Sequence, residues 1–162
     1  MLRRMFALIP QWVCRMTLPV VGPALLAAAP ASAQAVQPYR VEGLAIEQPL
    51  SARGDASRGR ALLVARDPAN CILCHAAPAD LMKSGVRFSG NLAPSLDGAG
   101  ARWTPGQLRL RIVDSRRLNP DTIMPSYYRT DGLVEVATAW RGKPILNPQQ
   151  IEDLIAYLVT LQ

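Results

Sequence analysis

Five consecutive residues, Cys71-Ile72-Leu73-Cys74-His75, carry the most specific chemistry in this 162-residue sequence. The C-x-x-C-H spacing is that of covalent c-type haem attachment. In a helical turn, side chains three apart face the same way, so Cys71 and Cys74 can each add to one haem vinyl. His75 follows directly and is placed to bring its imidazole under the iron as the proximal ligand. Two other uses of the pattern fit less well. A dithiol redox pair normally opens a helix after a strand in a βαβ setting, and no parallel-sheet pattern surrounds this one. Structural zinc wants four ligands, and beyond residue 33 these are the only cysteine and histidine side chains.

The sixth iron ligand is narrowed by elimination. The chain has one histidine, so a distal histidine is excluded, and both motif cysteines are committed to thioethers. Met82 stands only seven residues after His75, a short reach to the far face of a macrocycle. Met124 stands 49 residues after it, in Asn119-Pro120-Asp121-Thr122-Ile123-Met124-Pro125, a proline-stiffened loop able to present a thioether. Met124 is the expected distal ligand, with Lys83, Lys143 or an open position as alternatives. His/Met ligation raises the potential and suits electron transfer without substrate at the iron. A ligating histidine also needs an acceptor for its other N–H. The Pro94 carbonyl, in Asn91-Leu92-Ala93-Pro94-Ser95-Leu96, is the candidate, although that loop would serve equally as plain packing against the haem.

These residues need a frame, and composition bounds it. At 49% hydrophobic and 19% charged the chain can build a core, while 14 Pro and 11 Gly imply much irregular backbone. Residues 1–33 read as a secretory signal: Arg3 and Arg4, an apolar stretch from Leu18 to Ala29, then Ala31-Ser32-Ala33 as the cleavage site. A permanent membrane anchor is the weaker alternative, because the apolar run is shorter than the ~20 residues a span needs. Three arginines and no acids leave with that segment, so the formal charge falls from +6 to +3. Export to the periplasm follows, the side of the membrane where thioethers are made.

Residues 34–53 lack any sustained period and read as an extension, either docked on a partner or untethered. Asp55 is placed to cap a helix through about Arg66 that buries Leu62 and Leu63, with Gly59 marking a close approach to another element. The stretch from Ala76 to Gly100 reads as loop. Thr104, Pro105 and Gln107 open a second helix, with Leu108, Ile112 and Ser115 on one face. Residues 133–140 fit a short strand or a frayed helical turn equally. Asn147, Pro148 and Gln150 open a final helix whose stripe is Ile151, Leu154, Ile155, Leu158 and Leu161. Arg102, Arg109, Arg111, Arg116 and Arg117 form a basic cluster that would steer an acidic partner, offset haem propionates or simply be solvated. Nucleic acid is not an expected partner, since the remaining charge is small and few aromatics interleave with the arginines.

From Gly54 to Gln162 the haem motif, the Ala-Pro-Ser-Leu segment, the Met-Pro loop and the last helix resemble a class I cytochrome c. The resemblance implies an all-α fold, three to five helices around one covalently bound haem c. In that family a proline carbonyl meets the proximal histidine, which maps onto Pro94. A narrower likeness is to the SoxX subunits of sulfur-oxidation complexes. It rests on Gly54-Asp55-Ala56-Ser57-Arg58-Gly59-Arg60, Asn70 before Cys71, Asn119-Pro120 leading to Met124-Pro125, Gly142-Lys143-Pro144-Ile145-Leu146 and Ile151-Glu152-Asp153-Leu154-Ile155-Ala156-Tyr157-Leu158. That likeness implies a heterodimer with SoxA, a complex that couples thiosulfate to a cysteine of the carrier SoxYZ, with catalysis at a SoxA haem and electrons handled by the SoxX haem. A free monohaem shuttle and a non-haem dithiol protein are the rival readings.

Overall fold

The frame is set by three capped helices. In a computed structural model that describes residues 36–162, α1 spans Ala56–Val64, with the Asp55 carboxylate accepting the Arg58 amide hydrogen at 2.8 Å. The helix α4, Pro105–Val113, opens on a Thr104–Gln107 capping box with proline in its first turn. The helix α5, Pro148–Leu158, opens the same way on Asn147 and Gln150. Each cap satisfies amide hydrogens that have no intrahelical partner, and each is worth about 1 kcal/mol. Two shorter helices, α2 over Ala79–Lys83 and α3 over Ala99–Arg102, interrupt the stretch expected to be loop. The Ala79 amide donates to Asp97 Oδ1 at 2.8 Å, a cap supplied from 18 residues away.

Helix α1 crosses α5 at very close range, and glycine makes the crossing possible. A Cβ on Gly59 would overlap the Asp153 carbonyl, and one on Gly54 would overlap that of Glu152. Ile151, Leu154, Ile155 and Leu158 of α5 are buried with Leu63 of α1 and Leu108, Leu110, Ile112 and Val113 of α4. The α5 stripe outruns its helix: Leu161 packs against the core from beyond the helix end. Among the described residues there is no extended strand, only isolated bridges at Glu42–Ala45 and His75–Ala93. No helix among them is long and apolar enough to cross a membrane.

Two expectations need correcting. Arg109 does not belong to an exposed basic cluster. It is 3% exposed and paired through Nε and Nη2 with Glu152 of α5, at 2.7 and 2.8 Å. Its Nη1 donates to the Ile46 carbonyl at 2.6 Å. The reason is that α4 has a second buried face, covered by the segment before α1. That segment, the described part of the expected extension, is docked on its own domain rather than untethered. Ile46 and Leu50 are buried, the Ile46 amide donates to Gly106 at 3.0 Å, and the Leu50 amide donates to Glu152 at 2.9 Å. Residues 133–140 form neither strand nor α-helix. Left-handed backbone at Gly132 and Glu135 breaks any period, and one 3₁₀ turn follows at Thr138–Trp140. The expected signal segment, 1–33, lies outside the described residues.

Candidate haem site

The C-x-x-C-H motif begins where Asn70 takes a left-handed conformation, φ 49°, which turns the chain into a 3₁₀ helix over Cys71–Leu73. Asparagine tolerates this region better than most residues. The Cys74 and His75 amides both donate to the Cys71 carbonyl, at 3.2 and 3.0 Å, so the motif is one tight turn. Residues 90–96 run alongside and fasten it: Gly90 N–H donates to Ile72, Ala93 to Cys74 and Leu96 to Ala76, at 2.8, 3.0 and 3.3 Å. A Cβ at Gly90 would overlap the Leu73 carbonyl, so only glycine allows this approach.

That ladder carries the Pro94 carbonyl to 2.7 Å from His75 Nδ1. A carbonyl can only accept, so Nδ1 holds the proton and Nε2 keeps its lone pair free for a metal. Cys71 and Cys74 are not joined in a disulfide, and burial pushes the Cys71 thiol up to about 11.

The loop after α4 brings Met124 to the cleft that the motif lines. Ser115 Oγ donates to the Met124 carbonyl at 2.6 Å, and the Met124 amide donates to Thr122 Oγ1 at 3.2 Å. Tyr127 then returns the chain to the motif, its hydroxyl donating to the Ala69 carbonyl at 2.9 Å. Burial, reinforced by the two motif cysteines, pushes the Tyr127 phenol well above its ordinary value. It remains a neutral donor.

Cys71, Cys74, His75, Pro94 and Met124 all line one cleft of about 280 Å³, floored by Leu63, Ile112, Leu146, Leu154 and Leu158. A second lobe of about 340 Å³ shares His75, Pro94, Thr122 and Met124, and adds Arg102, Trp103 and Arg111. Met82 and Lys83 line neither lobe, and Lys143 lines a separate surface pocket. No aspartate or glutamate lines either lobe. Arg111 stacks on the Trp103 ring at 3.5 Å and donates to the Gln107 carbonyl, and Arg102 donates to the carbonyls of Ser95 and Asp97. Among the described residues neither guanidinium is paired with a carboxylate.

A largely apolar slot lined by two thiols, an imidazole and a thioether, with two unpaired cations lining its second lobe, matches the donors and the acidic rim of a porphyrin with two propionates. Arg116 and Arg117, also in the expected basic cluster, are exposed and line neither lobe. Ser115, Thr122 and Tyr127 were not expected as site residues. The helical spacing of Ser115 from Leu108 and Ile112 hinted at an inward face, whereas nothing local marks Tyr127.

The cytochrome c family model matches residues 56–162, and the chain belongs to that family. It therefore carries one covalently bound haem c in a class I cytochrome c fold. The chain is 30% identical over 142 residues to a cytochrome c-553-like protein of Synechocystis, covering 88% of this chain and 97% of that protein. A chain in the crystal structure of SoxXA from P. pantotrophus is 38% identical, with a TM-score of 0.69, covering 78% of this chain and 96% of that one. The narrower likeness to SoxX thus extends from scattered motifs to the backbone.

Proposed function

We propose that this chain is the monohaem electron-transfer subunit of a periplasmic SoxAX-type complex. The observation that carries the reading is the likeness at 38% identity to a chain of SoxXA over nearly that chain's whole length. In this reading Cys71 and Cys74 would hold haem c through two thioethers, and His75 Nε2 and the Met124 thioether would be its iron ligands. The Pro94 carbonyl fixes the imidazole tautomer and raises its basicity. The apolar walls exclude water, so a change of charge in the cleft costs little solvent reorganisation. Haem c, when bound, supplies a reversible one-electron couple.

The partner is SoxA. On it thiosulfate is joined to a cysteine of SoxYZ, and making that sulfur–sulfur bond releases two electrons, which a single-haem chain takes one at a time. The catalytic step itself belongs to the partner.

Co-expression with SoxA followed by gel filtration tests the assignment. A co-eluting complex with a reduced c-type absorption spectrum is expected. A haem-loaded chain that elutes alone would favour a free shuttle between respiratory complexes. A chain without any c-type spectrum would favour the dithiol reading.

A further inference from the structure

The loop that bears Met124 is fastened unevenly. On its C-terminal side, backbone hydrogen bonds zip it to the end of α4: Tyr127 to Ile112 at 3.0 Å, then Tyr128 and Arg129 to Val113 at 3.3 and 3.2 Å. Ser126 adds a side-chain bond to Asp114 at 3.1 Å. On the N-terminal side the Asn119 amide donates to the Ser115 carbonyl at 3.2 Å, and the remaining tethers are internal to the loop, Thr122 to the Asn119 carbonyl and Asp121 to the Asn119 side chain. The Ser115 hydroxyl, 2.6 Å from the Met124 carbonyl, is the direct bond from α4's end to the methionine itself. Ser115 is only 6% exposed, which shelters the donor from water. Thr122, accepting the Met124 amide hydrogen at 3.2 Å, completes the grip on both sides of the residue.

We infer that Ser115 is a positioning residue for Met124, a latch that keeps the thioether seated in the cleft and so governs how readily another ligand displaces it. This rests on the reading of Met124 as the distal ligand. With Ser115→Ala, the Met124 carbonyl loses its partner and the detached form of the loop gains population. The net worth of one such hydrogen bond corresponds to roughly a tenfold change in an equilibrium.

The test uses the haem-loaded oxidised protein and added imidazole as the competing ligand. In the unaltered protein the weak near-infrared methionine–iron band should be present and fade as imidazole binds. Ser115→Ala should keep the band without imidazole but bind imidazole about tenfold more tightly. Ser115→Thr, which retains the hydroxyl, should stay close to the unaltered protein. Arg40→Gln, which breaks the exposed Arg40–Glu42 ion pair remote from the cleft, should leave imidazole affinity unchanged. If Ser115→Ala yields no haem-loaded protein, Thr122→Val, which removes the acceptor for the Met124 amide, should give the same tightening. Unaltered imidazole affinity in the variant that is obtained, with the band present in the parent, overturns the latch alone. Absence of the band from the parent protein overturns the Met124 reading and the latch with it.

Discussion

His75 can offer only one nitrogen to the cleft. Its Nδ1 is engaged by the Pro94 carbonyl at 2.7 Å, and that carbonyl is itself held by a backbone ladder to the haem motif. The imidazole would therefore meet a haem iron in one orientation, whereas the proposed distal ligand is an unbranched thioether on a loop. Ligand exchange belongs to the Met124 side. Met124→Ala should abolish the near-infrared methionine–iron band of the oxidised protein while leaving the covalent haem in place; a surviving band refutes the distal assignment. Replacing either cysteine tests a different bond. Cys71→Ala or Cys74→Ala should leave one thioether, seen as a red shift of the reduced pyridine haemochrome band toward that of a haem retaining one vinyl.

At the level of elements, a buried ion pair joins α4 to α5 and also receives the chain before α1. Arg109 and Glu152 have 4% and 6% exposed side chains, so breaking the pair leaves one charge in a dry site. Arg109→Ala should cost about 3–5 kcal/mol in denaturant unfolding, whereas replacing both residues by apolar side chains of similar volume should cost far less. A double variant as unstable as the single one would mean that the guanidinium matters mainly for the Ile46 carbonyl it also binds. The pair also shows what a sequence can reveal. Caps at Asp55, Thr104 and Asn147 were legible because both partners of each bond lie within three residues. The haem motif was legible for the same reason, its chemistry residing in five consecutive positions. Gly59 was legible as a costly choice inside a helix, although not what it touches. Arg109 was misread because the residue that neutralises it lies 43 positions away on another helix. The short helices α2 and α3 were invisible because distant or adjoining loops support them: the Ala79 amide rests on Asp97, and α3 follows a left-handed Gly98.

At the scale of the whole molecule, acid should loosen the same crossing that the glycines permit. Burial works against ionisation of Asp153, but the Arg58 guanidinium, the Asp55 amide and Gln149 overcome it and hold its carboxyl below the usual range. Asp80, partly desolvated, is likewise held low by the Tyr157 hydroxyl and Arg60. A carboxyl whose folded value is depressed contributes stability that is fully present above its unfolded value, about 3.9, and is lost as pH falls through the folded value. Both groups touch α5, which also supplies Leu154 and Leu158 to the haem cleft. Loss of these charges therefore weakens the fold and the cofactor's floor together. Asp153→Asn should lower the melting temperature at pH 7, with the gap to the parent protein narrowing steadily below about pH 4. A gap that stays constant down to pH 2 would mean that the Asp153 charge contributes nothing and that its hydrogen bonds alone brace the crossing.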